Sequence, residues 1–171
     1  MNRTSRTQQL CTMAILIAIE IVLTRFCSIN TSVVRIGFGF LPVAMMGIMY
    51  GPLAAGIGYA IGDVIGATLF PSGPFFPGFT LSASLTGLVY GLILHRKDVT
   101  YGRALIASLI VVLCLDLCLT TYWLKVLYGY GFMAVLPTRI VKVIFAVPVQ
   151  TILIPLVYNK VIHPIRNKLA F

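Results

Sequence analysis

Apolar residues fill this chain in long blocks, and the polar stretches between them are short. The blocks predict six membrane-spanning helices: Leu10–Phe26, Ile36–Met49, Leu53–Phe70, Gly78–Leu94, Ala104–Leu127 and Pro137–Ile162. The connections carry turn chemistry. Tyr50-Gly51-Pro52 reads as a tight turn whose proline opens the third helix. His95–Gly102 is a polar, basic turn, and Tyr128–Leu136 is a longer loop of aromatics and glycines, ended by Pro137 at a helix start. The second block is short. At 1.5 Å per residue it reaches about 21 Å, against a hydrocarbon core of roughly 30 Å. It is therefore expected to be broken, sunk or shielded by its neighbours. The fold class that follows is an all-α membrane protein, one integral membrane domain over residues 1–171, with six transmembrane helices.

Composition narrows the function. The 171 residues are 59% hydrophobic and 10% charged, and the mean hydropathy is +1.00, which leaves no room for a soluble catalytic domain. The net charge of +9 sits at the ends of apolar runs, the distribution of a protein facing a lipid bilayer and not a nucleic acid. The first run lacks a small-residue cleavage site and carries Glu20 and Arg25, so it reads as a retained span and not a removed signal. With six spans, one side of the membrane holds Arg3, Arg6, Arg96, Lys97, Arg103, Lys160, Arg166 and Lys168. By the positive-inside rule that side, with both termini, is cytoplasmic. Cys11, Cys27, Cys114 and Cys118 have no metal-site spacing, and no phosphate loop, H-E-x-x-H or G-x-S-x-G motif occurs. The expectation is no metal, no cofactor and no enzyme activity. Any ATP hydrolysis belongs to separate chains.

The candidate chemistry centres on Gly58–Gly78. Its helix carries a ridge of Gly58, Gly62 and Gly66, suited to close helix approach, and beside it the row Tyr59, Asp63 and Ala67. A carboxylate at bilayer depth costs roughly 2.5–3.5 kcal/mol on insertion scales, so Asp63 has two readings: it lines a small-molecule pocket, or it pairs with a cation of a neighbouring helix. Phe75 and Phe76 follow in a Pro-Ser-Gly-Pro-Phe-Phe-Pro-Gly break and would lie at the mouth of such a pocket. The other five cations, Arg25, Arg35, Lys125, Arg139 and Lys142, cluster at the ends of spans opposite the termini. A basic cup there suits an anionic ligand, with Arg25 and Arg139 favoured because each lies within a span's outer turns. Trp123, with Tyr122, Tyr128, Tyr130 and Phe132, reads either as an interfacial aromatic belt or as a stacking surface. Glu20 and Asp116 read as internal pairs, Glu20 with a sixth-span cation and Asp116 with Thr120. Ala14-x-x-x-Ala18 leaves a flat face on the first helix for another membrane subunit.

Taken together, the length, the six spans, Ala14-x-x-x-Ala18 and the glycine- and proline-broken loops resemble the substrate-binding S-component of energy-coupling factor (ECF) vitamin transporters. The segments Arg25–Gly39, Leu41-Pro42-Val43-Ala44, Gly58–Gly78 and Leu136–Lys142 look most like the folate-specific branch. The resemblance implies a multi-pass protein of the bacterial plasma membrane with a ligand cavity open to the outer side. It implies high-affinity folate binding, then association with a transmembrane coupling protein and two ATPase subunits, with Ala14 and Ala18 matching the coupling-protein contact. Under that reading Asp63 accepts from the pterin's amino group and ring N–H, with Tyr59 beside it. Phe75, Phe76 or Trp123 stacks on the ring, and Arg25, Arg139 and then Arg35 take the glutamate tail. The rival readings are an S-component for another flat vitamin, such as riboflavin, and a small self-sufficient transporter.

Overall fold

The computed structural model describes residues 6–30, 35–71, 75–129 and 132–162. Helix α1 (Arg6–Arg25) leads into an antiparallel hairpin, β1 (Ser28–Asn30) and β2 (Arg35–Gly37), paired Ser28 to Gly37, Ile29 to Ile36 and Asn30 to Arg35. Then come α2 (Phe40–Tyr50), α3 (Pro52–Leu69) and α4 (Pro77–Leu94). A fifth span runs through α5 (Tyr101–Leu109), a π-helical stretch (Ile110–Leu119) and α6 (Thr120–Tyr128). Helix α7 (Phe132–Val157) ends in a π-helical turn, Tyr158–Ile162.

The helical architecture holds, and two features depart from the expected boundaries. The hairpin takes up residues 35–37, so the second helix starts at Phe40 and not at Ile36. The last helix starts at Phe132, so Pro137 lies inside it and the expected loop is shorter. Among the described residues, five helices are long and apolar enough to cross a membrane, and α2 is a shorter apolar one. Its 11 residues cover only about 16 Å at 1.5 Å per residue. The chain resolves this by shielding: every residue from Pro42 to Ile48 is buried, as a helix that is apolar on all sides requires.

Helix α4 sits against α3 and α2 through glycine. A side chain on Gly91 would collide with the backbone of Pro52 and Gly51, and one on Gly87 with the backbone of Ala55. A Cβ on Gly47 would stand 2.9 Å from the Gly91 nitrogen. Gly51, with φ 92°, makes the turn from α2 to α3 in a conformation few other residues adopt, and Pro52 opens the next helix. Around this junction Val43, Ala44, Met46, Ala55, Tyr90 and Leu94 form the core, with Ile154 of α7 against them. One buried polar link, from Tyr90 Oη to Gln150 Oε1 at 2.8 Å, ties α4 to α7, and each group satisfies the other where no water reaches.

Backbone-to-backbone packing of this kind has no slack. Gly87→Val or Gly91→Leu should destabilise the protein by about 1–3 kcal/mol or more, seen as an earlier unfolding transition of the purified protein in detergent. Gly102→Ala, with nothing within 4 Å, should stay within about 0.5 kcal/mol of the parent.

Candidate ligand site at the hairpin end

Because successive helices alternate in direction, the end of α1, the hairpin, the end of α3, the start of α4, the end of α6 and the start of α7 gather at one end of the bundle. Most of the residues singled out from sequence fall there, in three groups.

The first group lies between α1, α3 and α4. Arg25, the last residue of α1, crosses over Gly66, where an added Cβ would stand 2.7 Å from its Nε. Its Nη2 lies 3.5 Å from Asp63 Oδ1 and 3.4 Å from the Asp63 carbonyl. Thr80 of α4 donates to Asp63 Oδ2 at 2.8 Å. The pair is well sheltered, with side-chain exposures of 6% for Arg25 and 17% for Asp63. Deeper in the bundle, buried Glu20 accepts from Thr24 at 2.7 Å. Its carboxylate rests against Gly62, while Thr24 rests against Gly39. The ridge of Gly58, Gly62 and Gly66 therefore receives the long side chains Ile17, Glu20 and Arg25 of α1. The close backbone approach expected of that ridge is made by Gly87 and Gly91 instead.

Asp63 thus has protein donors on both oxygens, the second of the two readings open from sequence. It is not saturated. A carboxylate offers about four acceptor directions, and the Arg25 contact is long for a charge-assisted bond.

The second group is aromatic. Phe76 lies 5.5 Å from Trp123 between ring centres, Tyr122 lies 5.2 Å from Trp123, and Phe79 lies 5.9 Å from Phe76. The Trp123 indole N–H donates to Ser82 Oγ at 3.1 Å. Phe75 is exposed beside this cluster.

The third group joins the π-helical stretch to α7. Buried Arg139 donates to the Asp116 carbonyl at 2.6 Å and lies 3.7 Å from Asp116 Oδ1, while Lys142 pairs with Asp116 Oδ2. Thr120, expected to serve Asp116, donates instead to the Leu115 carbonyl at 3.1 Å. Two cations on one acid give this group a charge of +1.

The structure therefore brings Arg25 to Asp63, and Phe76 to Trp123, and gives Arg139 an acid of its own. Tyr59 is half-buried against the core. Arg35 is in β2, and its side chain lies outside the described residues. Ala14 and Ala18 are exposed on α1. An open cleft of about 350 Å³, lined by Leu117, Cys118, Tyr122 and Lys125, includes none of the expected contact residues. Sequence reasoning passed over Thr80 and Ser82, hydroxyls near the start of an apolar helix. It did not select Lys142, whose i, i+3 spacing from Arg139 puts both on one face.

The family profile described as "ECF transporter, substrate-specific component" matches residues 8–158. The chain belongs to this family. Among relatives of this S-component, the folate transporter FolT of Clostridium novyi is 46% identical over 142 residues, covering 83% of each chain. The folate transporter FolT of Leuconostoc mesenteroides is 33% identical over 150 residues, covering 84% of this chain and 80% of its own. A crystal structure of FolT bound with folic acid superposes with a TM-score of 0.86 at 37% identity, over 90% of this chain and 94% of that one. The family is one of transporters, not enzymes, in keeping with the lack of a catalytic motif.

Removing Asp116 should expose how far the third group depends on it. Breaking a fully buried pair costs roughly 3–5 kcal/mol, and Asp116 is a quarter exposed, so Asp116→Asn should lower stability by less than that. Adding Lys142→Met should recover part of the loss, as read from thermal unfolding of the single and double variants.

Proposed function

We propose that this S-component is the folate receptor of an ATP-driven ECF importer. The observation that carries the reading is the Asp63 carboxylate: sheltered on a glycine-lined helix, braced by Thr80 and Arg25, and still able to accept. A pterin presents an amino group and a ring N–H side by side, and one carboxylate can take both. The aromatic group supplies a flat partner for the ring, from Trp123, Phe76 and exposed Phe75. The glutamate tail carries two carboxylates, and the cationic group of Arg139 and Lys142 suits them; Arg35, which follows Arg25 in the chain and lies in β2, is the third choice. Arg25 serves twice, holding Asp63 and adding positive charge toward the tail. Tyr59 lies one turn below Asp63 on the same row. The folate transporters among the relatives, and the folic acid-bound FolT structure, support the choice of vitamin.

In this reading the chain is one membrane domain in the bacterial plasma membrane. Its basic termini face the cytoplasm and the hairpin end opens outward. Delivery requires a coupling protein and two ATPase subunits. Ala14 and Ala18 on the exposed face of α1 would seat the coupling protein, since small residues let a partner helix come close.

Equilibrium binding by the purified protein tests the vitamin: folic acid should bind tightly, and riboflavin and thiamine should not. Asp63→Asn should weaken folic acid binding by about tenfold or more, as expected when a donor fork loses a charged acceptor, and far more than it lowers the folded yield. Equal loss of yield and binding would make Asp63 a structural residue. Ala14→Trp with Ala18→Trp should keep folic acid binding yet abolish uptake in cells that supply the coupling protein and ATPases. Uptake without those subunits would point instead to a self-sufficient transporter.

A further inference from the structure

We infer that Ser82 is a positioning residue for ligand binding: it holds the Trp123 indole as a plate for the ligand's flat ring, and Gly78 leaves the room. The inference rests on the folate-receptor reading above.

Trp123 is the chain's single tryptophan. Its indole N–H donates to Ser82 Oγ at 3.1 Å, and Ser82 Oγ in turn donates to the Gly78 carbonyl at 3.1 Å. Ser82 is only 7% exposed, so its hydroxyl is engaged in both directions. An interfacial tryptophan in an aromatic belt turns its N–H toward the wet headgroup layer. Here the N–H turns into helix α4. An indole has one polar group and no acceptor, so what Trp123 retains for a ligand is its ring surface. Phe76 and Tyr122 meet it at interplanar angles of 55° and 64°, tilted against the indole and not stacked parallel to it. A Cβ on Gly78 would stand 2.6–2.8 Å from the indole carbons, so the ring lies against the α4 backbone only because residue 78 has no side chain. Hydrogen bond, glycine gap and tilted rings together fix the plane of Trp123.

The test uses the purified full-length protein, its single-tryptophan emission, and two ligands: folic acid and a pterin without the glutamate tail. Ser82→Ala should shift the emission to the red and raise the dissociation constants of both ligands alike by about tenfold, the scale of a lost buried hydrogen bond. Ser82→Thr should restore both readouts. Trp123→Phe should weaken both ligands, and in that background Ser82→Ala should add less than about twofold, because a residue acting through Trp123 has nothing left to act on. Gly78→Ala should reproduce the emission shift, which covers the case in which Ser82→Ala does not fold. Parental emission and affinities in Ser82→Ala would overturn the inference, as would an undiminished Ser82→Ala effect in the Trp123→Phe background or parental affinity in Trp123→Phe itself. A parent protein that binds neither ligand would overturn the receptor reading and the ligand half of this inference, while the emission shift would still report whether Ser82 holds the indole.

Discussion

Hydrocarbon offers a carboxylate nothing to bond to, and this chain places three carboxylates on its spanning helices. Each acquires donors from the protein: Thr24 serves Glu20, Thr80 and Arg25 serve Asp63, and Arg139 with Lys142 serve Asp116. Two of the three arrangements join helices far apart in sequence, so those two acids act as rivets between spans. The cost of a charge at depth explains why so few occur and why each is surrounded. It also explains the glycines of α3, which open the space that Glu20 and Arg25 fill.

The bundle combines two kinds of contact. Helices α2, α3 and α4 meet backbone to backbone around Gly47, Gly87 and Gly91, a packing that leaves no tolerance for sliding. The helices after α4 join them through side chains, by Tyr90 to Gln150 and Trp123 to Ser82. Helix α4 is thus common to both parts. Near its start it supplies Thr80 to Asp63 and Ser82 to Trp123, two residues apart and so on different sides of the helix. A ligand touching both Asp63 and Trp123 would have its position set by this one rigid element.

Much of this was legible in the sequence. Apolar blocks and their Gly/Pro punctuation gave the helices, because hydrocarbon admits little else. Arg25, Asp63, Phe76, Trp123 and Arg139 stood out as polar or aromatic residues where lipid disfavours or orients them. What stayed hidden has physical causes. The hairpin at 28–37 is too short for a periodic signal. Thr80 and Ser82 are ordinary helix residues until a neighbour's side chain meets them, and helix rotation is not written locally. The pairing of Asp116 with Thr120 assumed a turn of 3.6 residues. In the π-helical stretch the Thr120 amide bonds to the Leu115 carbonyl five residues back, and the Thr120 hydroxyl goes to that same carbonyl.

That stretch has a further consequence. Every residue added to or removed from a helix swings all that follows by about 100°, and a widened turn absorbs such an addition without lengthening a loop. Residues 110–119 therefore work as the threaded collar of an adjustable screw: their winding sets the azimuth at which the final turns before Tyr128 meet α4. Were the collar cut by one residue, a turn returning to ordinary α winding would take up the loss, and Trp123 would keep its place against Ser82. A fold with such a collar can gain or lose a residue inside its fifth span while the face it turns toward α4 stays as it was.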